Sequence, residues 1–312
     1  MSVPAVELQE LGQRYGPRVA LDGLSLTVAR GEVFGFLGPN GSGKSTLFKI
    51  LATLLRPGGG TARVLGHDVT RDADAVRRRL GVVFQQPSID KLLSVEENLL
   101  HHGALYGLAR PMLRAGVAAM LERFGLAERR GERVGQLSGG LARRVELAKA
   151  LVVGAEVLLL DEPTTGLDPR ARREFLAHLG ELRDRDGITV LLTTHHLDEA
   201  ERADRVAILD RGRLVTLGAP DELKAALGGD VLVVQAASAE RLRERVRLRL
   251  GLEATVVDGV LRLEAPRAHE MVPRLVDAFP EEIRSITYGR PTLEDVFVHL
   301  TGRRFAAAEA GA

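Results

Sequence analysis

The sequence predicts an α/β fold in which a largely parallel sheet is joined by a small antiparallel β subdomain, a helical insertion and a compact C-terminal α+β unit. Three observations carry this prediction. Apolar runs bounded by glycine or charge recur as "VFGFLG" (33–38), "GVVFQ" (81–85), "EVLLLDEP" (156–163), "ITVLLTTH" (188–195) and "RVAILD" (205–210). Apolarity without alternation suits strands covered on both faces. Helical patterns lie between them, at Lys44 to Leu55, Ser138 to Val153 and Arg170 to Arg185, and such alternation marks an α/β chain. The third observation is a change of character after "GAPDELKAALGGD" (218–230).

Residues 5–32 alternate polar and apolar positions and are broken by glycines, as half-exposed antiparallel strands would be. Residues 92–153 are almost wholly helical in pattern. Beyond residue 230, "VLVVQA" reads as a strand and "SAERLRERVRLRLG" as a helix. There, charge alternates with Leu or Val from Arg241 to Leu250, a strand-like period. Ser238 as a cap and the line Leu242, Val246, Leu250 favour helix. A hairpin turning at Asp258 and Gly259, a helix in "HEMVPRLVDAF" and a strand in "IRSITYG" complete a βαββαβ order, that of a ferredoxin-like unit. The expected division is residues 1–228, with the helical subdomain at about 92–153, and 229–312.

The 312 residues carry 43 Lys and Arg against 42 Asp and Glu, a formal net charge of +1, so no global field attracts nucleic acid or anionic membrane. There is no cysteine, which removes disulfides, thiolate zinc sites and Cys nucleophiles and agrees with a reducing cytosolic home. No signal-peptide pattern opens the chain, and no stretch approaches the roughly 18–20 apolar residues that span a bilayer. A soluble or peripheral protein is expected.

"GPNGSGKST" (Gly38, Pro39, Asn40, Gly41, Ser42, Gly43, Lys44, Ser45, Thr46) fits the phosphate loop G-x-x-x-x-G-K-[ST] and sits between an expected strand and helix. Its glycines let backbone N–H groups close on phosphates, Lys44 reaches the β and γ groups, and Ser45 can ligate Mg²⁺. "VLLLDE" (157–162) ends a strand in Asp161, placed for Mg²⁺, and Glu162, placed to polarise a water. Adjacent acids after a strand also serve as caps or solvated turns. "LLTTHH" presents His195 and His196, and strand alternation lets at most one face a nucleotide. Gln85 and Gln86 leave a core strand, where their amides either bridge metal and water or simply end it. Tyr15 lies in a glycine-flanked turn, offering an adenine-stacking face or an ordinary surface ring. Asp168 in "TTGLDP" caps a Pro-initiated helix.

"LSGG" (137–140) opens a second helix on Ser138, Gly139 and Gly140, a bare backbone terminus suited to an anion. The ordered set resembles the nucleotide-binding subunits of ATP-binding cassette (ABC) transporters, from about residue 5 to 228. The resemblance implies a P-loop ATPase fold, with adenine stacking on Tyr15 and Mg²⁺ sensed through Gln85. It also implies a catalytic carboxylate in Glu162, a γ-phosphate contact from His195, and a D-loop at Gly166 to Asp168. Leu141 and Ala142 stand where glutamine and a basic residue often occur. An apolar residue at 141 is similar to the drug and lipophile exporter branch, and "PTLEDVFVHLTGR" (291–303) resembles the tail of daunorubicin-resistance-type subunits.

The implied protein is an ATP-hydrolysing motor of an ABC-2 type exporter at the cytoplasmic face of the membrane. Its partners are separate membrane-spanning permease subunits and a second copy or homologous ATPase, its cofactors are ATP and Mg²⁺, and no nucleic-acid partner is expected. The competing readings are a soluble ABC ATPase acting on nucleic acid or ribosomes and a nucleotide-gated regulatory subunit with little turnover. A single cassette with no heptad run argues against the first, and intact Glu162 and His195 against the second.

Overall fold

The computed structural model describes residues 3–305. Residues 1–2 and 306–312, the outer ends of the two expected domains, lie outside them. The alternating segment folds as a hairpin of β1 (Val6–Tyr15) and β2 (Arg18–Val28). β3 (Val33–Leu37), buried at every position, feeds a loop and then α1 (Lys44–Leu51). This helix stops short of the expected Leu55 because Thr53 turns left-handed at φ 60, which breaks helical geometry. β4 (Gly59–Val64) and β5 (His67–Asp68) complete an antiparallel sheet in the order β2-β1-β4-β5.

After α2 (Ala73–Arg77) and β6 (Leu80–Val83) the chain enters its helical layer, α3 (Val95–Leu105), α4 (Arg110–Arg123) and α5 (Gly139–Leu151). α3 opens on a reciprocal capping box between Ser94 and Glu97, which satisfies two donors of its first turn. The core then resumes with β7 (Val157–Asp161), α6 (Pro169–Asp186), β8 (Thr189–Thr194), α7 (Leu197–Ala200), β9 (Arg205–Asp210), β10 (Arg213–Gly218) and α8 (Pro220–Ala225). The central sheet runs β10-β9-β3-β8-β7-β6. Every pairing is parallel except β10 on the edge. β3, β7 and β8 therefore deliver their C-terminal ends to one side, where ligands bind in open α/β sheets.

The C-terminal segment forms β11 (Asp230–Ala236), α9 (Ala239–Leu250), β12 (Thr255–Val257), β13 (Val260–Ala265), α10 (Met271–Ala278) and β14 (Ile283–Gly289). Its sheet is antiparallel in the ferredoxin-like order β12-β13-β11-β14. The ambiguous stretch is a helix: Leu242 and Val246, four apart, are fully buried while Leu248 is 80% exposed, whereas a strand would have put all three on one face. Asp258 (φ 51) and Gly259 (φ 73) turn the hairpin in the left-handed region, as a two-residue turn demands.

α11 (Leu293–Thr301) leaves this sheet and lays its apolar side elsewhere. Leu293, Val296, Phe297 and Phe305 are buried in the same apolar cluster as Val206 and Ile208 of the central sheet, with Leu223 and Leu227 against it. Arg303 pairs with Asp210, and Arg262 of β13 with Asp295. The tail thus ties the ferredoxin-like unit to the central sheet. Phe297→Ala is expected to cost about 3–5 kcal/mol, the usual range for emptying a buried aromatic site, read as a lowered midpoint in thermal unfolding of the full chain. No helix among the described residues is long and apolar enough to cross a membrane.

Candidate nucleotide site

The loop between β3 and α1 is bent by Gly41 (φ 78) and Gly43 (φ 104). A Cβ on Gly43 would fall 2.4 Å from the Ala20 carbonyl oxygen, so only glycine fits where the loop presses on β2. Lys44 is buried at 4% exposure. Its ammonium donates to the Gly38 carbonyl (2.6 Å) and the Pro39 carbonyl (3.0 Å), which folds the side chain back over the loop. Ser42 braces the loop from behind, its N–H donating to Pro39 O and its carbonyl accepting from Gly212 N. Tyr15, Arg18, Asn40, Gly41, Gly43, Lys44, Ser45, Thr46, Lys49 and Glu162 line a cavity of about 370 Å³. Three cations and one carboxylate suit a polyanion with a reacting end. Tyr15 is 46% exposed at its mouth.

Behind the loop, Ser45 Oγ donates to Asp161 Oδ1 at 3.4 Å. Thr193 Oγ1 donates to the same oxygen at 2.6 Å and accepts from Glu162 N–H at 2.9 Å. Thr193 thus registers β8 against both acids at the end of β7. Glu162 itself sits at φ 46, a conformation non-glycine residues rarely adopt and that functional sites often hold. Its carboxylate is approached by His195 Nδ1 at 3.3 Å and by Gln85 Nε2, which donates at 3.3 Å. Gln85, Asp161, Glu162, Ser45 and His195 are therefore brought together from four segments, the two acids sharing the end of β7. The two histidines do not alternate as strand neighbours: β8 ends at Thr194, and their rings tilt together with centroids 4.1 Å apart. Burial pushes the His196 imidazole below its usual value; only His195 reaches Glu162.

The second anion terminus is elsewhere. Ser138 caps α5, its hydroxyl accepting from Leu141 N at 3.4 Å. Ser138, Gly140, Leu141, Arg144, Asp168 and Arg170 line a separate cavity of about 260 Å³ that shares no residue with the first. Gly139 and Gly140 let α5 approach the following segment closely: a Cβ on Gly140 would lie 3.1 Å from Ala171 Cβ. Asp168 caps α6 through Arg170 N (2.9 Å) and Ala171 N (2.8 Å), so here it shapes the loop beside Ser138.

Sequence reasoning missed Thr193, Arg18 and Lys49. Thr193 is one more β-branched strand residue in the sequence, and its role is set by the β7–β8 register. Arg18 and Lys49 become cavity residues only when the β1–β2 turn and α1 meet.

A phosphate loop at the end of a parallel strand, with two carboxylates, a histidine and a glutamine converging beside it, defines a P-loop ATPase. The family model described as ABC transporter matches residues 21–165. The chain is 45% identical over 309 residues to the daunorubicin resistance ATP-binding protein DrrA3 of Streptomyces coeruleorubidus, covering 97% of each. It is 41% identical to the Nod factor export ATP-binding protein I of Burkholderia thailandensis, covering 97% of this chain and 99% of that one. Among solved structures, cbiO1 of Clostridium perfringens, part of the ABC transporter complex cbiONQ, superposes with a TM-score of 0.67 at 30% identity, over 80% of this chain and 97% of that one. The chain belongs to the ATP-binding subunits of ABC transporters, and it is an ATPase.

Proposed function

We propose that the chain is the motor of an ABC-2 type exporter, working as a head-to-tail pair on separate membrane-spanning permease subunits at the cytoplasmic face. The observation that carries the pairing is the separation of the two anion-binding termini into cavities with no residue in common. Phosphoryl transfer requires donors on more than one side of the γ-phosphate, and a second copy supplies the missing side. Support for export comes from the relatives' names, which couple this architecture to daunorubicin resistance and Nod factor export.

In this reading ATP stacks its adenine on Tyr15, and its phosphates lie in the loop from Gly38 to Thr46 under Lys44. Glu162 takes a proton from the attacking water, and His195 beside it contacts the γ-phosphate. The partner's α5 terminus, from Ser138 to Gly140, closes the opposite face. Ser45, Asp161 and Gln85 suit a hard, hydrated cation: the Ser45 and Asp161 oxygens meet where the loop joins β7, and the Gln85 amide reaches the neighbouring Glu162. Mg²⁺ held there would neutralise charge on the β- and γ-phosphates. Loss of the γ-phosphate removes the contact bridging the copies and lets them part, which moves the permease between its two faces. The proposed division into a cassette of residues 1–228 and an accessory unit of 229–312 fits this, with the accessory unit stabilising the pair or its membrane complex.

The reading is tested by co-purifying the membrane partner and measuring ATP-driven anthracycline uptake into inverted vesicles. Uptake that needs ATP, both chains and Glu162 is expected. ATPase activity stimulated by RNA, with no membrane partner retained, would contradict it.

A further inference from the structure

We propose that Arg143 and Glu146 are positioning residues: they lock the loop bearing Gln85 to the helix that begins at Ser138, so that a chain's own nucleotide site sets the pose of the signature it presents to its partner. The last part rests on the head-to-tail reading.

Three residues at helical spacing on one face of α5 grip residues 84–88. Arg143 donates to the Phe84 carbonyl (3.2 Å) and, through its other nitrogen, to the Gln85 carbonyl (3.0 Å). Glu146 accepts from Arg143 on one oxygen and from Ser88 N–H (2.9 Å) on the other. Lys149 donates to Ser88 O (2.5 Å) and Ser88 Oγ (2.7 Å). The Arg143 and Glu146 side chains are only 7% and 1% exposed. A buried ion pair is poor value for stability alone, since apolar side chains of similar size fill such a place as well. What this pair adds is geometry: the planar fork of arginine fixes two successive carbonyls at once. The side-chain amide of Gln85, whose carbonyl is one of the gripped atoms, donates to Glu162. A continuous chain of contacts therefore runs from the acid beside the phosphate loop, through Gln85 and Arg143, to the helix capped by Ser138.

The test uses the full chain with four variants: Arg143→Met, Arg143→Met with Glu146→Leu, Gln85→Ala, and Gln85→Ala with Arg143→Met. Binding of a fluorescent ATP analogue is expected to stay within about twofold, while kcat falls about tenfold at unchanged KM, the signature of an interaction made in the transition state. Arg143→Met leaves Glu146 buried and unpaired, so it lowers the thermal midpoint as well. The paired apolar variant regains part of that midpoint, the Ser88 N–H having lost its acceptor, but not kcat. In the Gln85→Ala background Arg143→Met has no further effect on kcat, because both act through one glutamine. Steady-state ATP dependence loses cooperativity, its Hill coefficient falling to about 1, the value for uncoupled sites. Turnover restored by the paired apolar variant, or full additivity with Gln85→Ala, would overturn the proposal. ATP-dependent pairing of the Glu162→Gln chain is measured alongside. Its absence contradicts the head-to-tail reading, and the kcat cycle with Gln85 still decides the clamp.

Discussion

Glu162→Gln should lower steady-state ATP hydrolysis by about 100- to 1,000-fold, within the range that a positioned general base contributes. Glutamine keeps the size of the side chain and can still meet Gln85 and His195, which lie 3.3 Å from the carboxylate oxygens. It cannot accept the proton of the attacking water. ATP affinity should persist, because the loop, Lys44 and Ser45 are untouched. Bound but unspent ATP should then hold two copies together, so the variant elutes as a dimer with ATP and as a monomer without it. Phosphate release at the parent rate would remove Glu162 from the role of base.

Lys44→Ala should weaken ATP binding by about 10- to 100-fold, the equivalent of the roughly 1.5–3 kcal/mol typical of a hydrogen bond to a charged group. Lys44 is 4% exposed and folds onto the carbonyls of Gly38 and Pro39, so it meets phosphate without first being stripped of bulk water. Truncation frees two carbonyls at the rim of an open cavity where water can reach them, and the fold should survive. Equilibrium binding of labelled ATP and thermal unfolding of the same sample separate the two effects. Unchanged affinity and turnover would remove the phosphate loop from the mechanism.

Much of this site was legible in the sequence because its chemistry is written in contiguous strings. A phosphate loop needs its glycines and lysine at fixed spacing, and Asp161 with Glu162 ends an uninterrupted apolar strand. The structure added relations that no local string carries. Thr193 serves both acids only because β8 pairs in register with β7. Arg143 and Glu146 look like the solvated face of an amphipathic helix until the loop from Phe84 to Ser88 is laid across them. The histidine pair shows the opposite failure. Strand alternation was applied to residues that lie just beyond the strand, where the chain has already begun to turn into α7. At the C-terminus the βαββαβ order was readable from turn chemistry and period. The return of α11 to the central sheet was not, because Leu293, Val296 and Phe297 mark an apolar helix face without saying which surface covers it.

The central claim is that each ATP is completed by Ser138 of the other copy, and mixing two inactive chains tests it most directly. Lys44→Ala spoils the phosphate loop and spares the signature; Ser138→Arg does the reverse. Each alone should be nearly inactive. In a head-to-tail pair the mixed dimer holds one site built from an intact loop and an intact signature, so an equimolar mixture should recover up to about a quarter of parent turnover, from half of the dimers carrying one good site of two. Turnover no higher than that of the two variants measured separately would contradict the account, since it would place loop and signature in the same chain.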